Sequence, residues 1–195
     1  MKPFFTAVAL AVTLPVVAVA ADPAQVGKPA PAFTLKDESG KEHSLGKYKG
    51  KVVVLEWTNP GCPFVQRHYT ADTMQKTLAG LDAKKVVWLA VDSTASNTPD
   101  KSAAWKKTEG FTYPVLQDAS GTVGKAYGAR TTPHMYVIDE AGVVRYAGAI
   151  DDDPRGNKKE GITNHVKTAV DALLTGKPVP ASTTEPYGCS VKYKS

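Results

Sequence analysis

The side chains in this sequence best suited to covalent chemistry are its two cysteines, Cys62 and Cys189. Cys62 sits in Asn59-Pro60-Gly61-Cys62-Pro63, a sharp turn running into helix-forming residues. A thiol at a helix start becomes reactive because the free backbone N–H groups and the helix dipole favour its anion. Pro63 fits the first helical turn, where its missing N–H costs nothing. The bland assignment is a small apolar residue buried at the same place. Glu56, six residues earlier, interrupts an apolar run and needs either a partner or a raised pKa, and the latter would suit a general base. A solvated edge position is the alternative. The four histidines, His43, His68, His134 and His165, have no ligand spacing, so no metal and no cofactor are expected.

These residues must be held by strands and helices that the hydrophobic pattern outlines. Residues 21–32 read as an extended lead-in. Phe33–Leu35 and Glu42–Leu45 flank an Asp- and Gly-rich turn and form a hairpin. Lys51–Trp57 is a continuous apolar run, expected for a strand covered on both faces. A helix then spans residues 63 to about 80, with Phe64, Tyr69, Met74 and Leu78 near helical spacing and Gly80 as a C-cap. Lys85–Asp92 is a second buried strand. A helix over 99–107, a short strand over 113–117 and a brief helix ending near Gly128 follow. His134–Asp139 and Val143–Gly148 form a hairpin, and a last helix covers about 160–174. Trp57 and Trp88 are expected in the core. Strands alternating with helices and closing in an antiparallel hairpin predict a three-layer α/β domain over residues 21–175, with a central mixed sheet, helices on both faces and an N-terminal β-hairpin extension. Residues 176–195 lack periodicity and read as an irregular tail carrying Cys189.

Two motifs in this order carry a family resemblance. Residues 52–69 (VVVLEWTNPGCPFVQRHY) resemble the active-site strand, loop and helix of thioredoxin-like proteins and peroxiredoxins, and 131–139 (TTPHMYVID) resembles their second signature. The likeness spans roughly Phe33 to Leu174. It implies a thioredoxin-like fold in which Pro133, after Thr132, has a cis peptide bond and faces the active cysteine. Asn59, Pro60 and Gly61, with Thr132, Pro133 and His134, would then meet substrate. Glu56 matches the internal proton acceptor of thioredoxin. Val65 stands where a CxxC motif has its second cysteine, so exchange within that motif is impossible. A peroxiredoxin has Thr or Ser where this chain has Asn59, and Pro where it has Leu55. Arg130 would supply a cation that lowers the Cys62 pKa, or would be an exposed residue at a strand start. Cys189, in a segment similar to the tail of exported peroxiredoxin-like proteins, would resolve the oxidised Cys62 or staple to it permanently. Copper-delivery relatives use CxxxC, and Gln66 fills that second position here.

Residues 1–20 have the form of a signal peptide: Lys2, an apolar run from Phe4, and Ala18-Val19-Ala20 as a cleavage site. The expected mature chain has no membrane span, and its home is periplasmic or secreted, where disulfides persist. Loss of Lys2 takes the formal charge from +5 to +4, with the cations scattered among acids, which argues against a nucleic-acid partner. A 175-residue mature chain needs no disulfide scaffold, so two cysteines point to chemistry or to one specific bridge. The leading expectation is a thiol-based oxidoreductase with antioxidant, peroxiredoxin-like activity, its partners a peroxide or disulfide substrate and an external thiol reductant. The rivals are thiol–disulfide exchange with client proteins, and a non-catalytic binding protein with a structural Cys62–Cys189 bridge.

Overall fold

The computed structural model describes residues 23–194, so the expected signal peptide lies outside the described residues. A five-stranded mixed sheet forms the centre. Its strands are β3 (Val52–Trp57), β4 (Val86–Asp92), β5 (Val115–Gln117), β7 (His134–Ile138) and β8 (Val144–Gly148), in the order β5-β4-β3-β7-β8. The first three are parallel to one another, and β7 and β8 close the sheet antiparallel. The N-terminal hairpin is β1 (Thr34–Lys36) with β2 (Glu42–Ser44). A last pair, β6 (Thr131–Thr132) and β9 (Cys189–Ser190), joins the tail to the core.

Side chains alternate across the strands, so two cores form on opposite faces of the sheet. Val52, Val54, Trp88, Ala90, Met135 and Val137 point to one, and Val53, Leu55, Trp57, Leu89, Val91 and Tyr136 to the other. The first core is closed by helices α1 (Pro63–Thr70), α2 (Thr73–Ala79), α3 (Pro99–Glu109, through Trp105) and α5 (His165–Leu174). The second is closed by α4 (Thr122–Tyr127) and the N-terminal segment. Because both faces are covered, every residue of β3 is buried, which is why the strand reads as an unbroken apolar run around Glu56.

Two helix boundaries differ from the pattern, and the tail is held more closely than it suggests. The helix expected over 63–80 is two helices, broken at Asp72, whose φ of 56° is left-handed. In one straight helix, Tyr69 and Met74 would project about 140° apart. The break lets both reach the same core, and Asp tolerates the conformation better than most residues. The last helix starts at His165 rather than near 160, because the Asn164 side chain caps it by accepting from the Lys167 N–H at 2.8 Å. The tail lacks a long element, as expected, yet it is firmly attached. Val191 N–H donates to the Arg130 carbonyl, and the Tyr193 hydroxyl donates to the Ala129 carbonyl at 2.8 Å. No helix among the described residues is long and apolar enough to cross a membrane.

Candidate active site

Cys62 caps α1 with extended dihedrals, Pro63 opens the helix, and Asn59 Oδ1 accepts from the Gly61 N–H at 2.8 Å to shape the turn. Strand β3 ends at Trp57, so the loop leaves the sheet at its carboxyl edge and delivers the sulfur beside β6. The bond between Thr132 and Pro133 is cis, and the Cys62 thiol donates to the Thr132 carbonyl at 3.0 Å.

Antiparallel pairing of β9 with β6 sets Cys189 opposite Thr132 and brings the second thiol to the first. Both are reduced. Burial alone would push the Cys62 thiol up. Hydrogen bonds from Cys189 and Thr132, and from the backbone N–H groups of Val65 and Cys189, outweigh it and hold Cys62 below the usual thiol range. Thr132 therefore serves both forms: its carbonyl accepts from the thiol, and its hydroxyl can donate to the anion. Cys189 moves the other way, to about 11, through burial and then the hydrogen bond and charge of Cys62. It too receives a backbone N–H of α1, from Phe64. One helix start thus serves two sulfurs, with the negative charge on Cys62.

Glu56 is fully buried on the face of the sheet whose core includes Cys62. Its carboxylate accepts from Tyr69 Oη at 3.0 and 3.2 Å and from Trp88 Nε1 at 2.9 Å, while Tyr69 and Tyr113 Oη lie 2.6 Å apart. Burial raises its pKa to about 7, and the bonds from Trp88 and Tyr69 limit the rise.

Not every expected site residue converges on the sulfurs. Arg130 points outward, pairing with Glu185 at 3.1 Å where both side chains are exposed. Its charge acts on His134 and Tyr136, and it is not among the groups that lower Cys62. His134, aligned with Trp57, projects to the opposite face of the sheet. There its ring packs on Tyr136, and burial followed by the Arg130 charge drops its pKa to about 4. It lines a separate 460 Å³ cleft with Arg130 and Glu185. Among the described residues no cluster of potential metal ligands occurs.

Sequence reasoning missed a second group. His68, on α1, lies 3.0 Å through Nε2 from the Tyr187 hydroxyl, which in turn donates to Asp151. Burial, ahead of the opposing Asp151 charge, lowers the His68 pKa to about 4, so it is neutral. Tyr187 stands two residues before Cys189, in the tail segment that carries the resemblance. Nothing in the sequence marked Asp151, one of three consecutive aspartates after β8.

Comparison with known proteins adds the lineage. A family model described as the AhpC/TSA family matches residues 26–147. A Mycobacterium tuberculosis protein bearing a peroxiredoxin name is 33% identical over 131 residues, covering 65% of this chain and 78% of that protein. The thiol-disulfide oxidoreductase ResA of Geobacillus thermodenitrificans is 28% identical over 120 residues, 62% of this chain and 67% of that one. A solved Sinorhizobium meliloti structure superposes with a TM-score of 0.76 at 29% identity, covering 89% of this chain and 97% of the other. The architecture is thioredoxin-like.

Proposed function

The chain belongs to the AhpC/TSA family, and from that premise we propose that it is an exported antioxidant thiol peroxidase in which Cys62 is the nucleophile and Cys189 the resolving cysteine. The observation that carries this reading is the pair of sulfurs at one helix start, with Cys62 shifted down and Cys189 up. The Cys62 thiolate attacks a peroxide oxygen. An S–O bond forms, the O–O bond breaks and the alcohol leaves with a proton, so sulfur is oxidised to the sulfenic acid as the peroxide is reduced. Cys189, losing its proton, then attacks that sulfur, forms the S–S bond and expels water. An external dithiol resets the pair. Glu56, which titrates near neutrality, is suited to take up the Cys189 proton through an intervening carrier, since its own bonds go to Tyr69 and Trp88. The turn of Asn59, Pro60 and Gly61, with Thr132 and Pro133, forms the substrate wall.

Peroxide added to a Cys189→Ser variant should leave sulfenic acid on Cys62, detectable by mass after trapping. The unsubstituted chain should give the intrachain bridge instead. Absence of sulfenic acid, with reactivity toward disulfides intact, would discard the peroxidase. A second reading, exchange with disulfides of client proteins, draws on two observations: Arg130 is turned to Glu185 instead of the sulfur, and Asn59 is engaged with Gly61. A permanent staple is tested by titrating Cys62 with an alkylating reagent, since a staple offers no thiol. Export is tested by the N-terminal mass of protein recovered from the periplasm, expected to begin at Ala21.

A further inference from the structure

Cys62 is only 1% exposed although its chemistry requires contact with a substrate. The segment that meets it is 187–190. Cys189 is paired with Thr132, and Gly188, with φ of 133°, lies so close that a Cβ there would come 2.1 Å from the Thr132 carbonyl oxygen. A cluster that the chemistry above does not use holds this segment down. The Tyr187 hydroxyl donates its one proton to Asp151 Oδ1, and its oxygen lies 3.0 Å from His68 Nε2, which Arg67 Nη2 also approaches at 3.3 Å. Its ring stands 5.7 Å from the Arg67 guanidinium and 6.2 Å from the Phe64 ring. Arg67 is itself fixed, donating to the Asp153 and Pro154 carbonyls at 3.0 and 3.1 Å. His68 and Asp151 are 3% and 5% exposed. Buried polar groups of this kind are retained when paired, and here one phenol links the two, with Arg67 also beside His68 and the Asp153 N–H donating to Asp151. The clasp therefore ties three separated pieces of chain together: α1, which carries Cys62 at its start, the turn after β8, and the tail two residues before Cys189.

We propose that Tyr187, gripped by His68 and Asp151, is the positioning residue for Cys189: the closed clasp seats the second sulfur over Cys62, and its release opens Cys62 to substrate. This rests on the resolving role of Cys189. The barrier to release is modest, since opening exchanges one or two hydrogen bonds for water.

Two assays on the reduced full-length chain test it. The first follows iodoacetamide alkylation of Cys62 in a Cys189→Ser background, and the second follows peroxide-driven formation of the Cys62–Cys189 bridge with both cysteines present. Tyr187→Phe should speed the alkylation roughly tenfold, the effect of losing one hydrogen bond to a charged group. The same change should slow bridging by a similar factor and let sulfinic acid accumulate. His68→Leu should act alike, whereas His68→Gln, which keeps a polar group able to donate or accept near Nε2, should stay near the parent. Parent-like rates for a folded Tyr187→Phe chain in both assays overturn the clasp. If that variant does not fold, equal behaviour of the Leu and Gln variants overturns it. A parent chain that never bridges with peroxide defeats the resolving reading instead, and the alkylation assay still judges the cover over Cys62.

Discussion

At the scale of residues, Glu56 shows how far position alone can carry an argument. A carboxyl in a run of valines and leucines must be paired or neutral, and the structure gives it partial pairing and a pKa near 7. The unfolded value is 4.5, so between about pH 4.5 and 7 the folded chain holds a proton that the unfolded chain has lost. Stability is therefore expected to fall as pH rises across that window, by roughly 3 kcal/mol in all. Glu56→Gln should flatten that slope, with urea unfolding at pH 4, 5.5 and 7.5 as the check. Were parent and variant to show the same slope, the buried carboxyl would not titrate as described. Cys62 and Glu56 were legible because each breaks a local pattern. Their partners were not: Trp88 read as ordinary core and Tyr113 as the start of a short strand, and nothing local relates either to a carboxyl on another strand. Arg130 was legible as a cation at the right address, but its direction depends on Glu185 in the tail, which no pattern links to it.

At the scale of elements, strand runs and turn chemistry were readable, and helix interruptions were not. The break at Asp72 answers a three-dimensional demand, two large side chains wanting one core, and leaves only a tolerant residue as its trace. Asp72→Gly should stabilise the chain by about 0.5 kcal/mol, because a left-handed residue with a Cβ is strained, while Asp72→Val should cost about 1–2 kcal/mol. Thermal melts of the two variants would decide. Strand β9 makes the opposite demand. At Gly188 the dihedral and the Thr132 carbonyl both exclude a side chain. Gly188→Ala should cost about 1–3 kcal/mol and expose Cys62 to alkylation, with the sheet core unchanged by circular dichroism.

For the whole molecule, the layered α/β architecture and the order of its parts were legible, since alternating strands and helices with two-sided burial leave few topologies. The fate of the tail was not, because its attachment uses isolated side chains, Tyr187 and Tyr193, and one two-residue strand. Tyr193 seats against Gly121 and Gly124, where a Cβ would approach its ring and hydroxyl to 2.5 Å. A Cys62–Cys189 bridge would close a loop of more than a hundred residues and add up to about 4–5 kcal/mol in the chain-entropy model. The oxidised chain is accordingly expected to melt about 10 °C or more above the reduced one, and the difference should vanish in Cys189→Ser. Equal melting temperatures of the two redox forms would argue against the bridge.

The contact between Trp88 Nε1 and the Glu56 carboxylate, at 2.9 Å, has an optical consequence. An indole bound to a group that ionises near neutrality sits in an electric field that switches with acidity, and its emission colour should follow. Trp57 donates to Ser93, and Trp105 has no partner for its N–H among the described residues, so neither is tied to that carboxyl. With those two replaced by phenylalanine, the remaining fluorophore becomes a built-in gauge of the interior proton, its midpoint near 7 readable without any added label.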